Sequence, residues 1–190
     1  MGHERGEPMY TIREYRPGDE PQWLECRLLS FFGTDYYDDV KTAKTVLPDP
    51  QLCFVAEEES RVLGLIDVEV DGQRATIDSI AVRPEAQRRG IAGALLGHAI
   101  ERLPEGVLTL DAWTRENTEA NAWYQRSGFV ENHSYLHVYK GWDEPNDGYA
   151  SPPGLSAPVM AFMHADIEHE AAMREKHARV YTCRQYLKQL

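Results

Sequence analysis

Cysteine is scarce in this chain. Cys26, Cys53 and Cys183 are widely spaced, odd in number and form no CxxC pair. That pattern argues against a disulfide framework and against a zinc site, and it leads us to expect reduced, mostly buried thiols. Long apolar runs are missing too. The longest weakly polar stretch, Ile91–Ile100, contains His98 and is far too short to span a bilayer. Residues 1–15 carry charges throughout and hold no apolar signal-peptide core, so cytoplasm is the expected compartment and a membrane is not an expected partner. Positive charge is in deficit: 20 Lys and Arg against 31 Asp and Glu give a formal net charge of −11. Long-range repulsion disfavours nucleic acid as a partner and favours a cationic one, although such a charge also serves solubility alone. The chain has no Walker A motif, no GxGxxG, no HExxH, no internal repeat and no low-complexity tract.

What remains is an ordinary globular composition, 42% hydrophobic and 27% charged over 190 residues, enough for one core with an appendage. Alternation predicts strands at Tyr10–Tyr15, Leu52–Glu57, Val62–Val70, Arg74–Val82, Val107–Ala112 and Phe129–Val138. Helical spacing of Trp23, Leu24, Arg27, Leu28 and Phe31 predicts a first helix, and a short second one is expected over about Tyr36–Val46. The clearest helix lies between Gly90 and Pro104, where Ile91, Ala92, Leu95, Leu96, Ala99, Ile100 and Leu103 form one apolar stripe. Asn117–Ser127 reads as a helix stopped by Gly128. The order of elements predicts an α/β (α+β) fold: a mixed, mostly antiparallel sheet of six to seven strands with helices on both faces. Residues 1–140 would form the main domain. Residues 141–158, rich in Gly, Pro, Asn, Asp and Ser, read as a linker or loop. Residues 159–190 read as a β-α-β extension, with a strand at Val159–His164, a helix from Asp166 through Ala178 and a short strand at Val180–Cys183. This extension would complete the sheet or build a homodimer interface.

The strongest local signal is Val82-Arg83-Pro84-Glu85-Ala86-Gln87-Arg88-Arg89-Gly90-Ile91-Ala92, a strand running through a basic turn into an amphipathic helix. A helix N-terminus presents unpaired N–H groups and the positive end of its dipole, which suits phosphate. Gly90 removes a Cβ from the approach, Ala92 keeps the next turn small, and Arg88 and Arg89 add charge. Turn chemistry alone is the competing account. Gln87-x-x-Gly90-x-Ala92 resembles the Q/R-x-x-G-x-G/A signature of the Gcn5-related N-acetyltransferases (GNAT). Downstream, Asn117-x-x-Ala120-x-x-x-Tyr124-x-x-x-Gly128-Phe129 is similar to that family's N-x-x-A-x-x-x-Y-x-x-x-G-F segment. The resemblance covers about residues 10–140.

The resemblance implies an acetyl-CoA-dependent N-acetyltransferase with no metal. The amides from Arg88 through Arg89, Gly90, Ile91 and Ala92 to Gly93 would hold the pyrophosphate. The backbone of Ile80, Ala81 and Val82 would pair with the pantetheine arm, and Gln87 and Asn117 join the cofactor-binding set. It also implies a thioester slot where the fourth strand splays from the fifth, mapped to Ser79–Val82 against Leu108–Ala112. Tyr124 would donate a hydrogen bond to the departing sulfur. Asp78, on the face of Thr76, Ile80 and Val82 by alternation, is the candidate base, with Asp67, Glu69 and Asp111 as competitors. Thr76 stands where other members place a Glu. Candidate acceptor contacts are Asp35-Tyr36-Tyr37-Asp38-Asp39, His133-Ser134-Tyr135 and Trp113-Thr114-Arg115, whose acidic and aromatic side chains suit a cationic amine. The acceptor would be a small-molecule or peptide amine, and a small cationic molecule fits the charge. The alternative is an acetyl-CoA-binding module without turnover, acting as a sensor or recruiting domain. His164, His169 and His177 with Glu168 and Glu170 match no fixed metal spacing.

Overall fold

The computed structural model describes residues 9–190; the first eight residues of the charged N-terminal stretch lie outside them. The described chain carries β1 (Thr11–Glu14), α1 (Glu20–Phe32), β2 (Leu52–Glu58), β3 (Arg61–Asp71), β4 (Arg74–Val82), α2 (Ile91–Ile100) and β5 (Thr109–Thr114). It continues with α3 (Thr118–Arg126), β6 (Val130–Lys140), β7 (Ala161–Asp166), α4 (Glu170–Lys176) and β8 (Arg179–Gln189). Eight strands are thus described, the six expected in the main run and the two of the extension, with mixed, mostly antiparallel pairing. The chain divides into two compact units, one running to Ala112 and including Leu187–Leu190, the other Trp113–Tyr186. No helix among the described residues is long and apolar enough to cross a membrane.

In the first unit the strand order is β1-β2-β3-β4-β5. All pairs are antiparallel except β4 with β5, which is parallel. Helices cover both faces, as expected. On β3, Leu65 packs in a cluster with Trp23 and Cys26 of α1, Val55, Val62 and Ala81. Its neighbour Gly64 points the other way, where a Cβ would stand 2.8 Å from Ile91 Cγ2 and 3.2 Å from Leu95 Cδ1 of α2. Only glycine lets α2 approach that closely. The predicted stripe is thereby explained, since Ile91, Leu95, Leu96 and Ala99 are buried. The Leu190 amide donates to the Leu108 carbonyl at 3.0 Å, bringing the chain end to the margin of β5.

In the second unit the order is β8-β6-β7, with β6 and β7 antiparallel. β6 alternates. Leu136 and Val138 bury one face with Val180, Met163, Ala165 and Met173, while Tyr135, His137 and Tyr139 occupy the other. The stretch 141–158 contains no helix or strand, and it is tied down where Glu144 accepts from His177 Nδ1 at 2.7 Å and the Ala178 amide at 2.9 Å.

Three expectations need correction. No helix forms over Tyr36–Val46; the segment runs in turns. Val40, Thr42, Thr45 and Val46 are β-branched and favour extended backbone. Arg27 takes both the Asp39 carbonyl (2.7 Å) and its carboxylate (2.7 Å), so that carbonyl is committed outside any helix. The C-terminal helix is split into a 3-10 turn, Ile167–His169, and the short α4. The last strand, expected as Val180–Cys183, extends over eleven residues.

Candidate active site

The candidate cradle is the turn that joins β4 to α2. Arg88 and Gly90 both adopt left-handed backbone, with φ of +62° and +81°. This pair of turns delivers the chain into α2 with no side-chain cap on its first turn. The Ala94 amide donates to the Gly90 carbonyl at 3.0 Å, and the Gln87 amide contacts the Pro84 carbonyl at 3.4 Å. Between them, the amides from Arg88 to Gly93 find no acceptor among the described residues. A Cβ added at Gly90 or Gly93 would meet no protein atom within 4 Å, so the space is open. Exposed donors at the positive end of a helix suit an anion such as a diphosphate. Arg89 is paired with Glu58 at 2.6 Å, whereas Arg88 makes no ion pair among the described residues. The Ile91 side chain is buried, so only its amide is available at this turn.

The strand leading into the cradle has an open edge. The β4–β5 ladder runs from Arg74↔Thr109 to Ile77↔Ala112 and ends there, while β4 continues to Val82. The register against β3 shifts between Asp67↔Ser79 and Val68↔Ile77, which leaves Asp78 as a bulge. This corrects the expected slot: Thr109–Ala112 lie beside Arg74–Ile77, and the residues past the bulge have no β5 partner. The Arg83 amide donates to the Leu63 carbonyl at 2.8 Å. By strand alternation Ala81 and Ser79 also direct their amides to β3, and Ile80 and Val82 direct theirs to the open edge. Gln87 Nε2 donates to the Val82 carbonyl at 3.3 Å, tying cradle to strand.

At the start of this edge, Asp78 Oδ2 accepts from Ser79 Oγ at 3.1 Å and lies 3.4 Å from Lys41 Nζ. Two of its three competitors are otherwise engaged. Asp111 accepts from Thr76 Oγ1 at 2.5 Å. Asp67 is fully buried, 3.0 Å from Lys44 Nζ. Burial pushes the Asp67 carboxyl up, and Lys44 opposes that shift. Burial alone would lower the Lys44 ammonium, yet Asp67 and Cys53 carry it upward on balance, so Lys44 is a cation. Glu69 is exposed on β3.

The remaining expected residues lie in the second unit. The Asn117 side chain accepts from the Ala120 amide at 2.8 Å, which makes it the N-cap of α3. Tyr124 is buried on α3, stacked on Tyr186 (5.4 Å, 12°) and edge-on to Phe129. Trp113 meets Tyr135 and His133 edge-on at 5.3 and 6.1 Å, so these acceptor candidates do converge. An open depression is lined by Glu131, Asn132, His133, Ser134 and Ile167. The tail histidines do not converge: His164 stacks on His137, His177 pairs with Glu144, and His169 lies exposed beside Glu168.

Two buried polar groups gave no sequence signal. Arg83, read as a turn residue, is fully buried; its Nε donates to the Val62 carbonyl at 2.7 Å and its Nη2 to Glu25 at 2.6 Å. In the second unit, Arg115 Nε donates to His137 Nδ1 at 3.1 Å. The other ring nitrogen must then carry the proton, donating to the Tyr135 hydroxyl at 2.9 Å. Burial, then Arg115 and His164, pushes His137 down to about 4. Burial and the neighbouring Cys183 push Tyr135 up to about 12. A protonated His137 would set N–H against N–H at Arg115. With the folded value below the ordinary 6.5, the unfolded chain binds the extra proton. Stability is therefore complete above about pH 6.5 and falls toward about pH 4, by about 3 kcal/mol. Urea unfolding of His137→Gln across that window should show a flatter acid limb than the parent protein. An unchanged slope would remove His137 from the account.

The cradle, the open edge and the mixed sheet together define an acetyltransferase fold of the GNAT class. Residues 49–131 match the family model for the acetyltransferase (GNAT) domain. An uncharacterised N-acetyltransferase of Methanocaldococcus jannaschii is 30% identical over 149 residues, covering 70% of this chain and 64% of the relative. The chain thus spans just under two thirds of that relative's length. Among solved structures, the ribosomal-protein-S18-alanine N-acetyltransferase of Escherichia coli superposes with a TM-score of 0.59 at 19% identity, covering 95% of this chain and 93% of that one. A GNAT family acetyltransferase of Elizabethkingia anophelis with acetyl-CoA bound gives 0.56 at 15% identity, covering 97% and 100%. At such identities the likeness concerns the fold.

Proposed function

We propose that the protein moves an acetyl group from acetyl-CoA to the primary amine of a small cationic molecule, by direct attack in a ternary complex. The observation that carries this reading is the run of unpartnered amides from Arg88 to Gly93, joined to a strand edge on which Ile80 and Val82 present theirs. Acetyl-CoA supplies the acyl group as a thioester. The Arg88–Gly93 amides and the Arg88 side chain hold its diphosphate. The open edge of β4 fixes the pantetheine arm, and an N–H near Ile80 polarises the carbonyl. Asp78 takes a proton from the acceptor ammonium or anchors it, and the net charge of −11 favours a cationic acceptor. Asn117 adds a contact to pantetheine beside its capping role. Cytoplasmic location and a homodimer built through residues 159–190 belong to the same reading.

Tyr124 is assigned a hydrogen bond to the departing sulfur. A phenol at about 10 and a thiol at about 8.5 make full proton transfer uphill by roughly 2 kcal/mol, so donation of a hydrogen bond is the main role. Tyr124→Phe should lower kcat more than it raises KM, and Asp78→Asn should remove the acidic limb of the kcat/KM profile. Steady-state kinetics over pH measures both; an unchanged kcat clears Tyr124, and a retained acidic limb clears Asp78. The activity itself is tested by free-thiol release from acetyl-CoA against polyamines, aminoglycoside-like amines, amino acids and peptides. Release with the small cationic amines is expected. Silence across the panel from protein that binds acetyl-CoA would favour the non-catalytic module.

A further inference from the structure

One amine of the protein itself stands where the acceptor is expected. Lys41 Nζ lies 3.4 Å from Asp78 Oδ2, at the bulge where the open edge of β4 begins, and it donates a hydrogen bond to Thr45 Oγ1. The side chains of Lys41 and Asp78 are 23% and 24% exposed, so a thioester carbonyl can reach the amine. The segment that carries Lys41 is anchored on both sides. Before it, Arg27 grips Asp39. After it, the Lys44 amide donates to Glu20 at 2.9 Å, and the Lys44 ammonium is clamped between Asp67 (3.0 Å) and the rings of Tyr15 and Trp23 (4.9 and 5.5 Å). Lys44, at 7% exposure, is sequestered. Lys41 is therefore a tethered amine held at the candidate base, and tethering gives an intramolecular amine a large effective concentration.

We infer that Lys41 is itself an acetyl acceptor, modified in cis by the site it adjoins. This rests on the acetyl-CoA reading above. Two protons leave the Lys41 nitrogen. The first passes to the Asp78 carboxylate before attack and then to solvent. The nitrogen lone pair then bonds to the thioester carbonyl carbon, the carbon–sulfur bond breaks, and the second proton ends on the departing sulfur. The products are N-acetyl-lysine and coenzyme A as its thiol. The product side chain is uncharged, so its ion pair with Asp78 is lost.

The test is mass spectrometry of the full chain incubated with acetyl-CoA, intact and after proteolysis. One acetyl group should appear on Lys41, at a rate per molecule independent of protein concentration. It should appear at least about tenfold faster there than on Lys140, Lys176 or Lys188. Lys41→Arg keeps a cation beside Asp78 and should acquire no acetyl group in that peptide. Asp78→Asn should slow modification of Lys41 at least about tenfold. Calorimetry with acetyl-CoA separates the two ideas. Protein that binds it yet leaves Lys41 unmodified, or modifies it no faster than the other three lysines, overturns self-acetylation and leaves the acetyltransferase reading standing. Protein that does not bind it overturns both.

Discussion

Gly90→Val is expected to weaken coenzyme A binding by at least about a hundredfold, near 3 kcal/mol. Gly90 sits at φ +81° and ψ 2°, a region where an L residue costs about 1–2 kcal/mol and a β-branched one more. The variant must either bear that strain or rotate the peptide out of the left-handed turn, which would turn the neighbouring amides away from their common target. The added side chain would also enter the open space beside those amides, which no protein atom occupies within 4 Å. Gly97 is the control. It lies in α2 at ordinary helical backbone, again with open space around it, so Gly97→Ala should leave binding unchanged. Calorimetry on both variants, with thermal melts to confirm folding, gives the comparison. Equal affinity in Gly90→Val would mean that the ligand does not use this turn.

The largest stability effect is expected at Lys44. Lys44→Met leaves the Asp67 carboxylate fully buried without its counter-charge. Removing one partner of a buried ion pair costs about 3–5 kcal/mol, because the remaining charge is neither solvated nor balanced. Neither Asp67 oxygen has a well-aligned hydrogen bond among the described residues, so nothing nearby takes over. The double variant Lys44→Met/Asp67→Leu removes both charges and should recover most of the loss. Urea unfolding of parent, single and double variants measures the coupling. A single variant within about 1 kcal/mol of the parent would show the pair to be dispensable.

These two sites differ in how far the sequence reveals them. The cradle is local. A strand, a basic turn, a glycine and an apolar stripe follow one another within about twenty residues of chain, and helix-end chemistry fixes what they do together. Asn117 is legible for the same reason, since a cap contacts amides a few residues ahead. Lys44 lies on the segment before β2 and Asp67 on β3, 23 residues apart in sequence, and no spacing announces their meeting. The bulge at Asp78 is a matter of register between strands, and so is the end of the β4–β5 ladder at Ile77. Composition cannot supply register, and the expected slot therefore set Ser79–Val82 against the wrong stretch of β5. Tyr36–Val46 misled because its apolar residues recur at helical spacing while Arg27 draws the Asp39 carbonyl into a tertiary contact. β8 was underestimated because Arg184, Gln185 and Lys188 interrupt its apolar alternation. Arg83 and Arg115 are charged residues that the fold buries against carbonyl, carboxylate, imidazole and aromatic partners far along the chain.

The most direct measurement is a coenzyme A titration followed by amide NMR on isotopically labelled protein. The account predicts that the Arg88–Gly93 amides shift most strongly, joined by Ile80 and Val82 as the ligand's arm adds to the strand edge. Binding that leaves those resonances in place while others move, or no binding at all, would contradict it.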